Sequence, residues 1–320
     1  MLKRLIKRLL LAFALLTSVY GGGRLYYSIT DGFVESNIHN DQPYEARWEL
    51  PPLNEEEKAL ITEILSQDFY YLGKGCQSYV FQSNDDKYVI KFFKYQRMRP
   101  QFWLEYLAFI PQVNSYIQKK ALSKKEKLDT AYASWKLAYE DLKEESGVLY
   151  VHFNKKAIWQ QEIALHDKMG TKHLLMLDNL EFMIQKKGEM LCDVLIRHKQ
   201  NNSLPDAFAI VDNLVEVLIS EYQRGYADND HALMQNTGVF AGAPMHIDVG
   251  QFIKNSIVKT PDVYKQELFN KMWKFRLWLD SELPEVKAHL DAHLEMVIGP
   301  EFSAMQPHLY KGGVARIPFE

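Results

Sequence analysis

The 320-residue chain is 47% hydrophobic and 25% charged, which is enough to build one large or two small globular domains. A formal net charge of −3, with the basic residues dispersed, gives no reason to invoke nucleic acid. Two cysteines, Cys76 and Cys192, are too few for a disulfide framework or a zinc site, and no histidine falls in an H-E-x-x-H pattern.

At the N-terminus, Lys3, Arg4, Lys7 and Arg8 precede an apolar run from Leu9 to Tyr20, followed by Gly21-Gly22-Gly23 and Arg24. Residues 1–23 therefore read as a signal peptide or a signal anchor. The run is shorter than the ~20 residues a spanning helix needs, although the glycines and Leu5-Ile6 can extend it. Ser18-Val19-Tyr20 matches an A-x-A cleavage site poorly, which favours retention as an anchor. The basic flank stays in the cytoplasm and places the rest across the membrane, unless the segment lies flat on the cytoplasmic face or the protein is secreted.

Residues 24–66 read as a linker broken by Pro43, Pro51 and Pro52, then a short helix in which Asn54 caps Glu55-Glu56-Glu57. From Tyr70 the order is strand, glycine turn, strand, polar turn, strand, ending in Tyr88-Val-Ile-Lys91. Gly73 and Gly75 let backbone approach phosphate oxygens closely, and Lys91 sits on a strand that can aim its ammonium at the same group. Phe102, Trp103, Tyr106, Leu107, Phe109 and Ile110 form an aromatic run, packed or membrane-facing, that stops at Pro111. Lys119 to Ser146 is helical, with Leu128, Ala131, Trp135, Ala138 and Leu142 in one stripe.

Strands are predicted over 148–153, 162–166, 173–177 and 182–186, then a helix over 191–198 and a polar loop to Pro205. The next helix carries Phe208, Val211, Leu214, Val215, Leu218 and Tyr222 on one face and ends on Arg224-Gly225. Gly225 to Phe252 gathers acids and amides between apolar elements and reads as a metal-phosphate site. Asp228 and Asp230 leave the helix on a loop, while a short strand from Pro244 to Val249 delivers Asp248 into a turn at Gly250. Oxygen donors of this kind suit Mg²⁺. Thr260-Pro261-Asp262 opens a helix to about Leu279, Pro284 opens another to about Val297, and the tail contains Gly312-Gly313.

Several of these stretches together resemble the protein-kinase-like superfamily. Gly73-Lys-Gly75-Cys-Gln-Ser78-Tyr-Val80 resembles its glycine-rich loop, with Ser78 at the third glycine, and Tyr88-Val-Ile-Lys91 resembles V-A-I-K. His246-Ile-Asp248-Val-Gly250 resembles the strand ending in D-F-G, and Asp230 falls where the catalytic-loop aspartate belongs. The sequence departs from the family at Asp228-Asn229 in place of His-Arg, at Ala232 in place of a lysine, and at Asn236, one place late for the metal-binding asparagine.

The resemblance covers about Phe69 to Phe252. It implies an α+β, two-lobed fold: a small antiparallel-sheet N-lobe with a helical insertion over 67–187, and a short helical C-lobe over 188–320, with ATP in the cleft. Gly73, Gly75, Ser78, Val80 and Lys91 would then hold ATP. The hinge at Phe182–Lys186, with Gln185 in it, would hold adenine, and Glu145 would pair with Lys91. Asn236 and Asp248 would bind Mg²⁺, and Asp230 would orient a hydroxyl nucleophile, with Asp228 as the alternative base or an added metal ligand. The acceptor is a protein, a lipid or a small molecule. The other outcome is a pseudokinase serving as a membrane-tethered binding scaffold.

Overall fold

Helix formation does not stop at the glycine triplet. In the computed structural model, which describes residues 2–40, 42–99, 104 and 106–308, the first helix, α1, runs over Leu2–Thr30 without a break. Residues expected to begin a linker at 24 are therefore helical as far as Thr30. At 1.5 Å per residue α1 is about 43 Å long, more than the ~30 Å of a bilayer core. Arg4–Thr30 has a mean hydropathy of 1.4, none of its most apolar window is buried, and it is long and apolar enough to cross a membrane, a test that a signal sequence also passes.

The chain forms two compact units, each built from two stretches: Met1–Gln101 with His152–Met183, and Phe102–Val151 with Ile184–Glu320. The fold is α+β, with a mixed sheet and a helical region. In the first unit, α2 (Glu55–Leu65) starts where its cap predicts: the Asn54 side chain accepts from Glu57 N at 2.8 Å, and the Glu57 carboxylate accepts from Asn54 N at 3.2 Å. This reciprocal pair satisfies two of the free N–H groups at a helix start.

Strands β1 (Asp68–Lys74), β2 (Ser78–Ser83) and β3 (Tyr88–Phe93) form an antiparallel meander. They are joined in the first unit by β5 (Glu162–His166) and β6 (Lys172–Met176), in the order β3-β2-β1-β5-β6, while β4 (Val148–His152) and β7 (Phe182–Lys186) are the strands at which the chain passes from one unit to the other. The sheet is mixed and not antiparallel as expected, because β5 pairs with β1 in parallel. No hairpin dictates that pairing: β5 reaches β1 only after the chain has left the first unit and returned. His166, at the end of β5, bonds Asp68 at 2.7 Å and stacks on Tyr70 at 4.5 Å.

The second unit opens with α3 (Pro111–Glu140) and α4 (Lys143–Ser146). Pro111, expected to end the aromatic run, is instead the first residue of α3, where its missing N–H costs nothing. Phe102 and Trp103 of that run, and the Gly312-Gly313 tail, lie outside the described residues; Tyr106 and Phe109 are exposed. Within α3 the buried positions begin only at Leu128. The rest of the unit contains β8 (Glu189–Met190), α5 (Leu191–Gln200), α6 (Leu204–Arg224), β9 (Tyr226–Asp228), α7 (Leu233–Asn236), β10 (Thr237–Phe240), β11 (Ala243–His246), β12 (Phe252–Lys254), α8 (Pro261–Glu282) and α9 (Pro284–Ile298). Its apolar core gathers on α6 through Val211, Leu214, Val215 and Leu218, packed with Met272, Phe275, Leu290 and Leu294 from α8 and α9.

Candidate functional site

In the first unit the glycine turn is shaped by strand register. Gly73 lies opposite Val80, and Val80 lies opposite Lys91, so these three share one sheet face. A bulge between Tyr71 and Gly73 sets this alignment, and a Cβ on Gly73 would meet nothing within 4 Å, so backbone is open to approach there. Gly75 N donates to Ser78 O at 2.9 Å and closes the turn. Lys91 is buried, as its strand position predicts.

Two cations that the sequence did not single out fix the turn's carbonyls. Lys94 Nζ donates to Gly75 O, Lys94 N donates to Gln77 O at 2.8 Å, and Arg97 Nη1 donates to Cys76 O at 2.7 Å. Burial, with Arg97 and Lys74 close by, pushes the Lys94 ammonium down to about 8. The signal was faint: Lys94 and Arg97 simply follow a strand that already carries Lys91.

In the second unit the acidic stretch folds as a strand, a loop and a hairpin. Helix α6 ends on Gly225 in left-handed backbone (φ 93), and β9 then pairs antiparallel with β12, placing Asp228 opposite Phe252. Asp228 is buried. Its Oδ2 lies 2.7 Å from Lys271 Nζ of α8, and its Oδ1 accepts from Asp230 N at 2.9 Å. Its carboxylate is thus committed inside the unit and organises the loop. Asp230 is half-buried; its Oδ1 accepts from Ala232 N at 3.0 Å and its Oδ2 from Gln251 Nε2 at 3.3 Å.

The β10–β11 hairpin brings Asn236 and Asp248 together. Thr237 pairs with His246, so the residues just outside the hairpin meet: Asn236 O accepts from Ile247 N at 2.8 Å and from Asp248 N at 3.4 Å. β11 ends at His246, shorter than the strand expected to reach Val249. This frees Asp248 for a turn in which its Oδ1 accepts from Gly250 N at 3.1 Å. A close glycine pair permits the geometry. A Cβ on Gly238 would fall 2.7 Å from Ile247 Cγ2 and 3.1 Å from Glu189 O.

Three buried contacts brace this turn. Ser134 Oγ of α3 donates to Val249 O at 2.6 Å and accepts from Phe252 N at 2.5 Å. His246 Nε2 lies 2.7 Å from Glu221 Oε1, both side chains almost wholly buried. Gln185, expected at the hinge, has a fully buried side chain whose Nε2 donates to Ser146 O at 2.6 Å and His246 O at 2.8 Å. Glu145 is ion-paired with Arg224 of α6.

An oxygen-only donor set suits a hard divalent cation, and Asn236 with Asp248 provides one. Asn236 is buried and its Nδ2, a donor, has no hydrogen-bond partner, which suits an acceptor such as a phosphate oxygen and not the cation itself. Among the described residues no group of three or more His, Cys, Asp or Glu is placed to hold a metal.

No family model matches the chain, and no curated protein matches it. Among solved structures it is similar to the streptomycin-ATP-APH(2")-IIa ternary complex, at 14% identity over 77% of this chain and 85% of that one, with a TM-score of 0.28.

Proposed function

We propose that this protein is a kinase-like ATP-dependent phosphotransferase held on a membrane by α1. The observation that carries the reading is the second unit's hairpin, which sets Asn236 and Asp248 on bonded backbone beside a loop bearing Asp230. The shared face of Gly73, Val80 and Lys91 supports it from the first unit. The glycine turn and Lys91 would bind the phosphates, and Asn236 and Asp248 would hold Mg²⁺, which would neutralise phosphate charge. Asp230 orients the acceptor hydroxyl and takes its proton. Gln251, donating to its Oδ2, and Ala232 N, donating to its Oδ1, hold the carboxylate in place. Asp228 serves the loop and not the proton transfer, since Lys271 occupies it.

Scaffold function without turnover is the second reading, favoured by Ala232 where a lysine is expected. Thermal stability of the full-length protein with and without Mg²⁺-ATP, followed by ADP release, tests both. A nucleotide that binds only the folded state stabilises it by RT ln(1 + [L]/Kd), about 2.7 kcal/mol at a hundredfold excess. Binding with turnover supports the enzyme, binding without turnover the scaffold. No shift at millimolar Mg²⁺-ATP would overturn both.

A further inference from the structure

The end of α1 grips the glycine turn from the face opposite Lys91. Register places Lys74, Tyr79, Tyr71 and Phe81 on that other face. Asp31, immediately after α1 and in left-handed backbone (φ 56), gathers two of them, Lys74 and Tyr71, together with Lys168. Its Oδ1 lies 2.9 Å from Lys74 Nζ, its Oδ2 lies 3.0 Å from Lys168 Nζ, and Tyr71 OH donates to Oδ2 at 3.1 Å. Burial works against the charge, but the hydrogen bonds from Lys74, Lys168 and Tyr71 hold the Asp31 carboxyl at about 2.

The grip extends beyond one carboxylate. Lys74 Nζ also donates to Asp31 O at 3.2 Å and sits 4.3 Å above the Tyr27 ring of α1. Tyr79 OH donates to Gly32 O at 2.6 Å, and Phe33 packs edge-on against Tyr79 and Phe81. Gly32 (φ +75) lies where a Cβ would strike the Tyr27 ring, so this turn is closed to other residues. Lys94 and Arg97 hold the carbonyls of the same turn, and Lys94 Nζ also sits 4.7 Å above the Tyr79 ring.

Lys74 is the residue between the two glycines, and the groups that hold it stand within one helical turn of the end of an apolar helix. Tyr26 and Tyr27 lie where interfacial aromatics anchor such helices. We propose that the last turn of α1 is a latch on the glycine turn, so that the seating of α1 in a bilayer sets the rigidity of residues 73–79 and, through it, nucleotide affinity. This rests on the nucleotide reading above for its consequence but not for its geometry. A rigid turn presents its backbone to phosphate without an ordering cost; a released one must be ordered on binding.

The test uses the full-length protein in nanodiscs of short-chain or long-chain phosphatidylcholine, measuring amide hydrogen exchange over residues 73–79 without nucleotide, and Mg²⁺-ATP affinity separately. Bilayer thickness changes helix tilt and depth, so it should alter wild-type exchange. Asp31→Asn should raise that exchange roughly tenfold, remove its dependence on thickness, and weaken Mg²⁺-ATP by a similar factor. Tyr79→Phe, which keeps the ring packing and removes the hydroxyl that donates to Gly32 O and accepts from Gln96 Nε2, should do the same to a lesser degree and guards against misfolding of the first variant. Unchanged exchange in both variants, or wild-type exchange indifferent to thickness, overturns the latch. If the turn loosens as expected while neither wild type nor variant binds ATP, the latch stands and the nucleotide reading falls.

Discussion

Replacing Lys271 by methionine should cost more stability than any other single lysine substitution in the second unit. Lys271 Nζ lies 2.7 Å from Asp228 Oδ2, with side-chain exposures of 2% and 1%, and it also donates to Asp230 O at 3.3 Å. Methionine keeps the aliphatic stem but strands a carboxylate that water cannot reach. Removing one partner of a buried pair costs about 3–5 kcal/mol, whereas neutralising both is often close to neutral. Lys271→Met should therefore lose about 3–5 kcal/mol in urea unfolding followed by a probe in this unit. With a slope near ~3 kcal/mol/M, the midpoint falls by about 1–1.7 M. Asp228→Asn alone should also be costly, because it leaves the ammonium buried. The double variant Asp228→Asn/Lys271→Met should recover most of the loss. Single losses below about 1 kcal/mol, or strictly additive losses in the double variant, would show that the two charges are not coupled in the core and would refute the reasoning.

Four further outcomes are expected. Asp230→Asn should leave Mg²⁺-ATP affinity intact and slow ADP release on the order of 10²–10⁴-fold, while Asp248→Asn should weaken Mg²⁺-dependent nucleotide binding and spare metal-free binding. Gly238→Ala should cost about 1–3 kcal/mol by overpacking against Ile247 and Glu189 O, read by thermal unfolding, and should separate Asn236 from Asp248. Glu181 lies buried beside Tyr95 OH at 3.2 Å and Asn40 Nδ2 at 3.5 Å, and burial raises its carboxyl to about 7. A raised folded value means the native state keeps a proton the unfolded chain releases, so stability falls as pH rises from about 4.5 to about 7. Glu181→Gln should match wild type near pH 4 and exceed it by roughly 3 kcal/mol at pH 8; a variant no more stable than wild type at pH 8 contradicts this.

Local signals carried most of the element order. Helix α6 ends at Gly225, α2 starts at Asn54, and α8 and α9 start at Pro261 and Pro284, because caps and helical period are written in neighbouring residues. The glycine turn and the acidic stretch were legible for the same reason. What stayed hidden is non-local. β10 is four residues long and its turn needs left-handed backbone at Ala241, a residue that does not advertise it. Lys271 looks like any solvated lysine in a mixed helix until α8 packs it over Asp228, 43 residues away. Glu145 fits the apolar stripe of α3 in sequence, yet Arg224, 79 residues on, takes its carboxylate. The parallel pairing of β5 with β1 and the hold of Asp31 on Lys74 likewise follow from tertiary placement alone.

The interleaving of the two units has a consequence at the ribosome. Neither unit is a continuous stretch of chain: the first is complete only at Met183, and the second opens at Phe102, before the first has closed. Ser134, Trp135 and Ala138 of α3 emerge early, but the Phe252 N–H that Ser134 receives follows 118 residues later. At about 5–20 residues per second this leaves that face of α3 without its partner for roughly 6–24 s. During that interval an apolar helix face is open to a chaperone or to another nascent chain. Slowing synthesis between Ala138 and Phe252 should therefore lower the yield of soluble second unit more than slowing it after Phe252.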